Sequence, residues 1–198
     1  MWVLLLVLIW SGCAEQPKTI QAYKAWFLNP DHGYVQTKEV AGIHYSVQYR
    51  PGQLMILNEM NSKIKTRKMV DSMVASYGES KYFVLELSLA DNAKSQDHDI
   101  LKAASAGYKN FADNINYLSF HLEKETWLIV DQDTLSPSLY HFERGYELGN
   151  KQSFVFAFPA KNAANAEMKF VFNDAVFNTG TNTFKFKPTP DIPDVPIN

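Results

Sequence analysis

Two short runs place carboxylates one residue apart. They are Asp97-His98-Asp99 and Asp131-Gln132-Asp133-Thr134. Alternate carboxylates suit a hard cation such as Ca²⁺, which gathers about six to eight oxygens at close range. Neither run has the full loop pattern of an EF-hand, so Asp97, Asp99, Asp131 and Asp133 are weak metal candidates. Helix capping by Asp97 or Asp99 and turn formation by Asp131 and Asp133 explain both runs without any further residue. The expectation is no metal and no cofactor. A second constellation is His141-Phe142-Glu143-Arg144. On a strand, His141 and Glu143 share one side and Phe142 and Arg144 the other. A His/Glu pair could begin acid–base chemistry, but a catalytic site needs a third element. Cross-strand ion pairing accounts for the same residues more simply.

Other routes to catalysis are thinly marked. The histidines are His32, His44, His98, His121 and His141, and none belongs to a His-Glu-x-x-His zinc motif. There is no Gly-x-Ser-x-Gly elbow and no phosphate-binding glycine loop. The aromatic content of 14%, including Trp26 and Trp127, would serve a sugar-stacking platform or a filled core, and core is the commoner use. Lys63, Lys65, Arg67 and Lys68 form a local positive run that reads as a solvated helix face. A net charge of −2 gives no electrostatic reason to expect nucleic acid.

The N-terminus carries the clearest signal. Trp2 to Trp10 are apolar, and Ser11-Gly12-Cys13 follows, with Cys13 the single cysteine among 198 residues. The run is too short for a hydrocarbon core that needs about 20 helical residues, and it suits the apolar region of a secretory signal. Ser11-Gly12-Cys13 resembles the lipobox of bacterial lipoproteins. That resemblance implies cleavage before Cys13, acylation of its thiol and anchoring in a bilayer. Ala14-Glu15-Gln16-Pro17-Lys18 has no Asp after Cys13 and one acid, which by the same resemblance points to the outer membrane, facing the periplasm rather than the cell surface. Asp71-Ser72-Met73 and Asp133-Thr134-Leu135 resemble O-glycosylation sites of Bacteroidota, which would make Ser72 and Thr134 acceptors. Together with Phe172-Asn173-Asp174 and Phe184-Lys185-Phe186, these make the chain similar to small envelope lipoproteins of that phylum. The resemblance transfers no catalytic residue.

The elements that would position these residues follow from periodicity. Ile20, Tyr23, Trp26 and Phe27 have helical spacing, ended by Asn29-Pro30-Asp31-His32-Gly33. Tyr34 to Val40 and Ile43 to Arg50 read as a hairpin about Ala41-Gly42, with Ile43, Tyr45, Val47 and Tyr49 on one face. Ile64 to Tyr77 suits a helix stopped by Gly78, and Lys81 to Ala90 a strand. Helical pieces are expected through Leu101 and Ala104 and from Tyr108 to Ile115. Six strands are expected beyond: Tyr117 to Leu122, Thr126 to Val130, Leu139 to Tyr146, Ser153 to Phe158, Met168 to Phe172 and Thr183 to Phe186. Pro188, Pro190, Pro193 and Pro196 keep the tail out of any central strand.

The fold expectation is therefore α+β. A signal peptide (1–12) and a lipidated Cys with a short tether (13–16) lead into a mixed helix/strand part (17–115). An antiparallel β-sandwich-like part (116–187) and a Pro-rich tail (188–198) follow. Whether the two parts are packed subdomains or one continuous domain stays open. The functional expectation is a lipid-anchored, non-catalytic accessory or scaffold subunit of a cell-envelope assembly, with an envelope protein as partner. A ligand- or glycan-binding lipoprotein is the alternative, and a hydrolase using His141 or His98 comes third.

Overall fold

A computed structural model describes residues 16–59, 66–91, 100–104, 108–143, 151–159, 167–188 and 191–197. Cys13, the signal peptide, Lys63, Lys65, Asp97, His98, Asp99 and Arg144 to Tyr146 lie outside the described residues. The chain is an α+β protein with two antiparallel sheets in a β-sandwich-like arrangement.

Helix α1 (Ile20–Leu28) begins where Thr19 Oγ1 accepts a hydrogen bond from the Ala22 amide at 3.1 Å. It stops at Asn29-Pro30, because proline disfavours helical backbone in the residue before it. Strands β1 (Val35–Val40) and β2 (Ile43–Arg50) turn through Ala41 and Gly42 at φ 51° and 81°. Positive φ at both positions matches the right-handed twist of a hairpin. Helix α2 (Gly52–Met55) and a 3₁₀ turn (Ile56–Asn58) lead toward α3 (Arg67–Tyr77), which Thr66 caps. Strand β3 (Ser80–Leu89), helix α4 (Ile100–Ala103) and helix α5 (Tyr108–Phe120) follow, then β4 (Thr126–Val130), β5 (Asp133–Leu135) and β6 (Leu139–Glu143). Strands β7 (Lys151–Pro159), β8 (Met168–Asp174) and β9 (Gly180–Phe186) complete the order.

The first sheet runs β1-β2-β3-β7-β6 and the second β5-β4-β8-β9. Strand β7 pairs with β3 from Ser80↔Pro159 to Ser88↔Lys151, so residues on both sides of position 116 share one sheet. Inward positions alternate as a half-buried sheet requires. Tyr45, Val47, Phe83, Leu85, Phe154, Phe156 and Phe158 face Phe170, Phe172 and Phe186 in one core. Phe83 and Phe156 each meet Phe170 with ring centroids 5.4 Å apart, joining the sheets through aromatic contacts.

A second, smaller core holds Tyr23, Phe27, Tyr34, Ile56, Leu57, Val70 and Val195. The Pro-rich tail is thus a packed extended segment over residues 191–197. Val195 is buried, and Pro193 accepts a hydrogen bond from the Tyr23 hydroxyl at 3.0 Å. Tyr49 touches both cores.

Two local expectations need correction. Tyr117 to Leu122 is not a strand; α5 continues to Phe120 and a 3₁₀ turn spans Leu122–Glu125. Tyr117, Ser119 and His121 alternate with Leu118, Phe120 and Leu122, which mimics period two. The helical set Phe111, Ile115, Leu118 and Leu122 is the one that packs on the core, while Phe120 is exposed. The short strand β5 has no counterpart among the six strands expected from periodicity. Only three residues long, it pairs Val130↔Asp133 across a turn where Asp131 takes φ 55°.

Candidate functional site

Antiparallel register fixes what the first sheet shows on the face turned away from the core. Arg50, Tyr82, Ala157 and Leu139 form one cross-strand row. Val35, Gln48, Val84, Val155 and His141 form the next, and Thr37, Ser46, Glu86, Ser153 and Glu143 a third. Near the Arg50 end, α1 and α2 rise over this face and make a cleft of about 450 Å³. Its floor is Ser46, Gln48, Arg50, Val84 and Glu86, and Lys24, Leu28, Leu54 and Met55 are brought in by the helices. Val35 and Lys151 close its sides.

Arg50 dominates the cleft electrostatically. Its Nε donates to Gln48 Oε1 at 2.9 Å, two residues back on the same face of β2. Burial pushes the guanidinium pKa down, while the carboxylates of Glu143 and Glu86 pull it the other way. Among the described residues Arg50 has no ion-pair partner. Glu86 is instead engaged by Lys151, Nζ to Oε2 at 3.6 Å. Lys24, Arg50 and Lys151 therefore outnumber Glu86 around one concavity with aliphatic sides. The chemistry of such a surface suits a charged group with an apolar body.

A second polar centre ties the two sheets together. Asp174 Oδ2 accepts from the Tyr45 hydroxyl and from Thr179 Oγ1, each at 2.7 Å. Its Oδ1 accepts from the amides of Val176 and Phe177 at 2.9 Å each. Asn182 extends the network, donating to Thr179 Oγ1 at 2.9 Å and accepting from Lys38 Nζ at 3.1 Å. Four donors on a carboxylate that is 6% exposed make it a strut between sheets, which gives the Phe172-Asn173-Asp174 run a structural role.

The residues singled out from sequence lie apart from the cleft. Asp131 sits in the β4–β5 turn and Asp133 opens β5, both exposed. Among the described residues no three His, Cys, Asp or Glu side chains gather to hold a metal ion. His141 and Glu143 are exposed on edge strand β6, opposite Val155 and Ser153. Trp26 stacks on His32 at 3.9 Å and packs edge-on against Phe27, while Trp127 lies half-buried opposite Val171 on the second sheet. Ser72, within α3, and Thr134, on β5, are both exposed. Arg67 pairs with Asp194 at 3.6 Å, tying α3 to the tail.

Sequence reasoning missed Arg50. The signal was present in the alternation His44, Ser46, Gln48, Arg50 against the buried Ile43, Tyr45, Val47. What the alternation does not contain is the roof, because α1 and α2 come over β2 only through tertiary packing.

No helix among the described residues is long and apolar enough to cross a membrane. No protein-family model matches the chain, and no curated protein matches it. Among solved structures, the crystal structure of a DUF4426 family protein from Pseudomonas aeruginosa PAO1 is similar. The match covers 81% of this chain and 97% of that one, at 10% identity and a TM-score of 0.35.

Proposed function

We propose that this chain is a lipid-anchored, non-catalytic ligand-binding protein of the outer membrane, with the Arg50 cleft as its binding site. The observation that carries the reading is the cleft itself, a concavity that sets two lysines and aliphatic sides around the Arg50 guanidinium, which has no ion-pair partner among the described residues. The anchoring half of the proposal rests on Ser11-Gly12-Cys13 following the apolar run. Facing the periplasm, the protein would capture a small molecule or a glycan substituent at the membrane surface.

The reading as an accessory subunit of an envelope assembly keeps one observation in its favour. Phe120 and Leu139 are 65% and 51% exposed, on α5 and on edge strand β6, and large apolar side chains left in water suit a protein partner.

The test uses protein released gently from its own membranes and weighed intact under native conditions. Wild type is expected to carry a bound small molecule that Ser46→Trp, which fills the cleft floor, lacks. Cys13→Ala should move the chain from the membrane to the soluble fraction. Identical native masses for wild type and Ser46→Trp, with both folded, would count against the cleft as a ligand site.

A further inference from the structure

We infer that the cleft selects a small organic monoanion, a carboxylate seated on Arg50 with an aliphatic body between Leu28, Leu54, Met55 and Val35. This deepens the ligand-binding reading above and rests on it.

A charge withdrawn from water is costly unless another charge or several hydrogen bonds replace the lost solvation. Arg50 is half-buried, and among the described residues its one hydrogen bond is the Nε contact to Gln48. The planar guanidinium fork matches a carboxylate with two parallel hydrogen bonds. A bound carboxylate would add the two parallel hydrogen bonds that Glu86 and Glu143, acting on Arg50 through their charge, do not make among the described residues.

The acids nearby set the ligand's charge. Glu86 lines the cleft and Glu143 acts on Arg50 from β6, so the positive field of Lys24, Arg50 and Lys151 is partly cancelled. Three cations against two acids leave one net positive charge, which a dianion such as a phosphate monoester exceeds at a larger desolvation cost. A monoanion keeps the guanidinium bond with less repulsion. Aliphatic side chains set the rest of the ligand's chemistry: Leu28 is 57% exposed at the rim, and Leu54, Met55, Val35 and Val84 are all apolar. About 450 Å³ is room for a molecule of metabolite size.

The full chain, reconstituted in phosphatidylcholine vesicles, would be dialysed to equilibrium against hexanoate, hexanamide and inorganic phosphate in turn. Hexanoate should bind one per chain, with hexanamide and phosphate at least about tenfold weaker. Arg50→Gln should weaken hexanoate at least about tenfold, because the charge-assisted pair is gone. Arg50→Lys keeps the charge without the fork and should fall between. Glu86→Gln removes a repelling acid and should tighten hexanoate, an effect of opposite sign that loss of folding cannot imitate. Hexanamide or phosphate binding as well as hexanoate, or Arg50→Gln binding hexanoate like wild type, would overturn the monoanion assignment while leaving the cleft as a binding site. No binding of any probe by folded protein would overturn it too, and with unchanged native masses in the Ser46→Trp comparison the cleft reading falls with it.

Discussion

Tyr45 shows how a single hydroxyl carries load between layers. It belongs to the first sheet and donates to Asp174 of the second, at 2.7 Å. Burial first, then the Asp174 bond, hold the Tyr45 phenol well above its ordinary pKa of 10.0. The folded chain thus keeps a proton that the unfolded chain releases above about pH 10. The associated stability is fully present below that pH and drains as pH rises. Tyr45→Phe should cost about 1–2 kcal/mol at neutral pH and flatten the alkaline loss, measurable by urea titration from pH 7 to 11. Gly33 is the other decisive residue. It takes φ 74°, and a Cβ there would lie 2.5 Å from the Lys187 carbonyl oxygen, where the C-terminal segment crosses. Gly33→Ala should therefore destabilise the fold by at least about 2 kcal/mol, combining left-handed strain with the clash, and the denaturation midpoint would report it.

At the scale of elements, local chemistry was legible where one short pattern dominated. The β1–β2 hairpin follows from alternation on both sides of Ala41-Gly42, and its turn retains an alanine at φ 51°. Ala41→Asn or Ala41→Gly should relieve that strain and raise stability by about 0.5–1 kcal/mol, read from the thermal midpoint. Residues 117–122 were misread because two periods coincide there. Exposure of Phe120 between the buried Leu118 and Leu122 decides for the helix, and no window confined to those six residues contains that information. The same limit hid the cleft. Arg50 shares a face with Gln48 and Ser46 by simple alternation, yet its seclusion depends on α1 and α2. Asp131 sits in a turn, as its residue type suggests; Asp97 and Asp99, either of which could cap a helix, lie outside the described residues.

For the whole molecule, the α+β class was readable from aromatic alternation in β7 and β8, but the partnership of β3 with β7 was not. Those strands lie about seventy positions apart, and nothing local specifies so distant a pairing. The tail was legible as extended but not as a structural wedge. With Val195 buried and Ile192 and Ile197 packed beside it, it completes the core under α1 and α3. Removing residues 191–198 should lower stability by about 3 kcal/mol, from one buried valine, its partly buried neighbours and the Tyr23 hydrogen bond. Because α1 also roofs the cleft, the truncated chain should lose ligand binding along with stability. Covalent geometry adds that six residues lie between Cys13 and Ile20, seven steps of chain, so an acylated Cys13 would hold α1 within about 25 Å of its lipid. On the proposed reading a ligand enters between α1, α2 and the outer face of the first sheet. Hydrogen exchange of the full chain with and without saturating hexanoate tests this most directly. Slowed exchange confined to residues 24–28, 46–55 and 84–86 is the expected result; protection around Trp127 and Ile129 on the opposite sheet, or none anywhere, would contradict it.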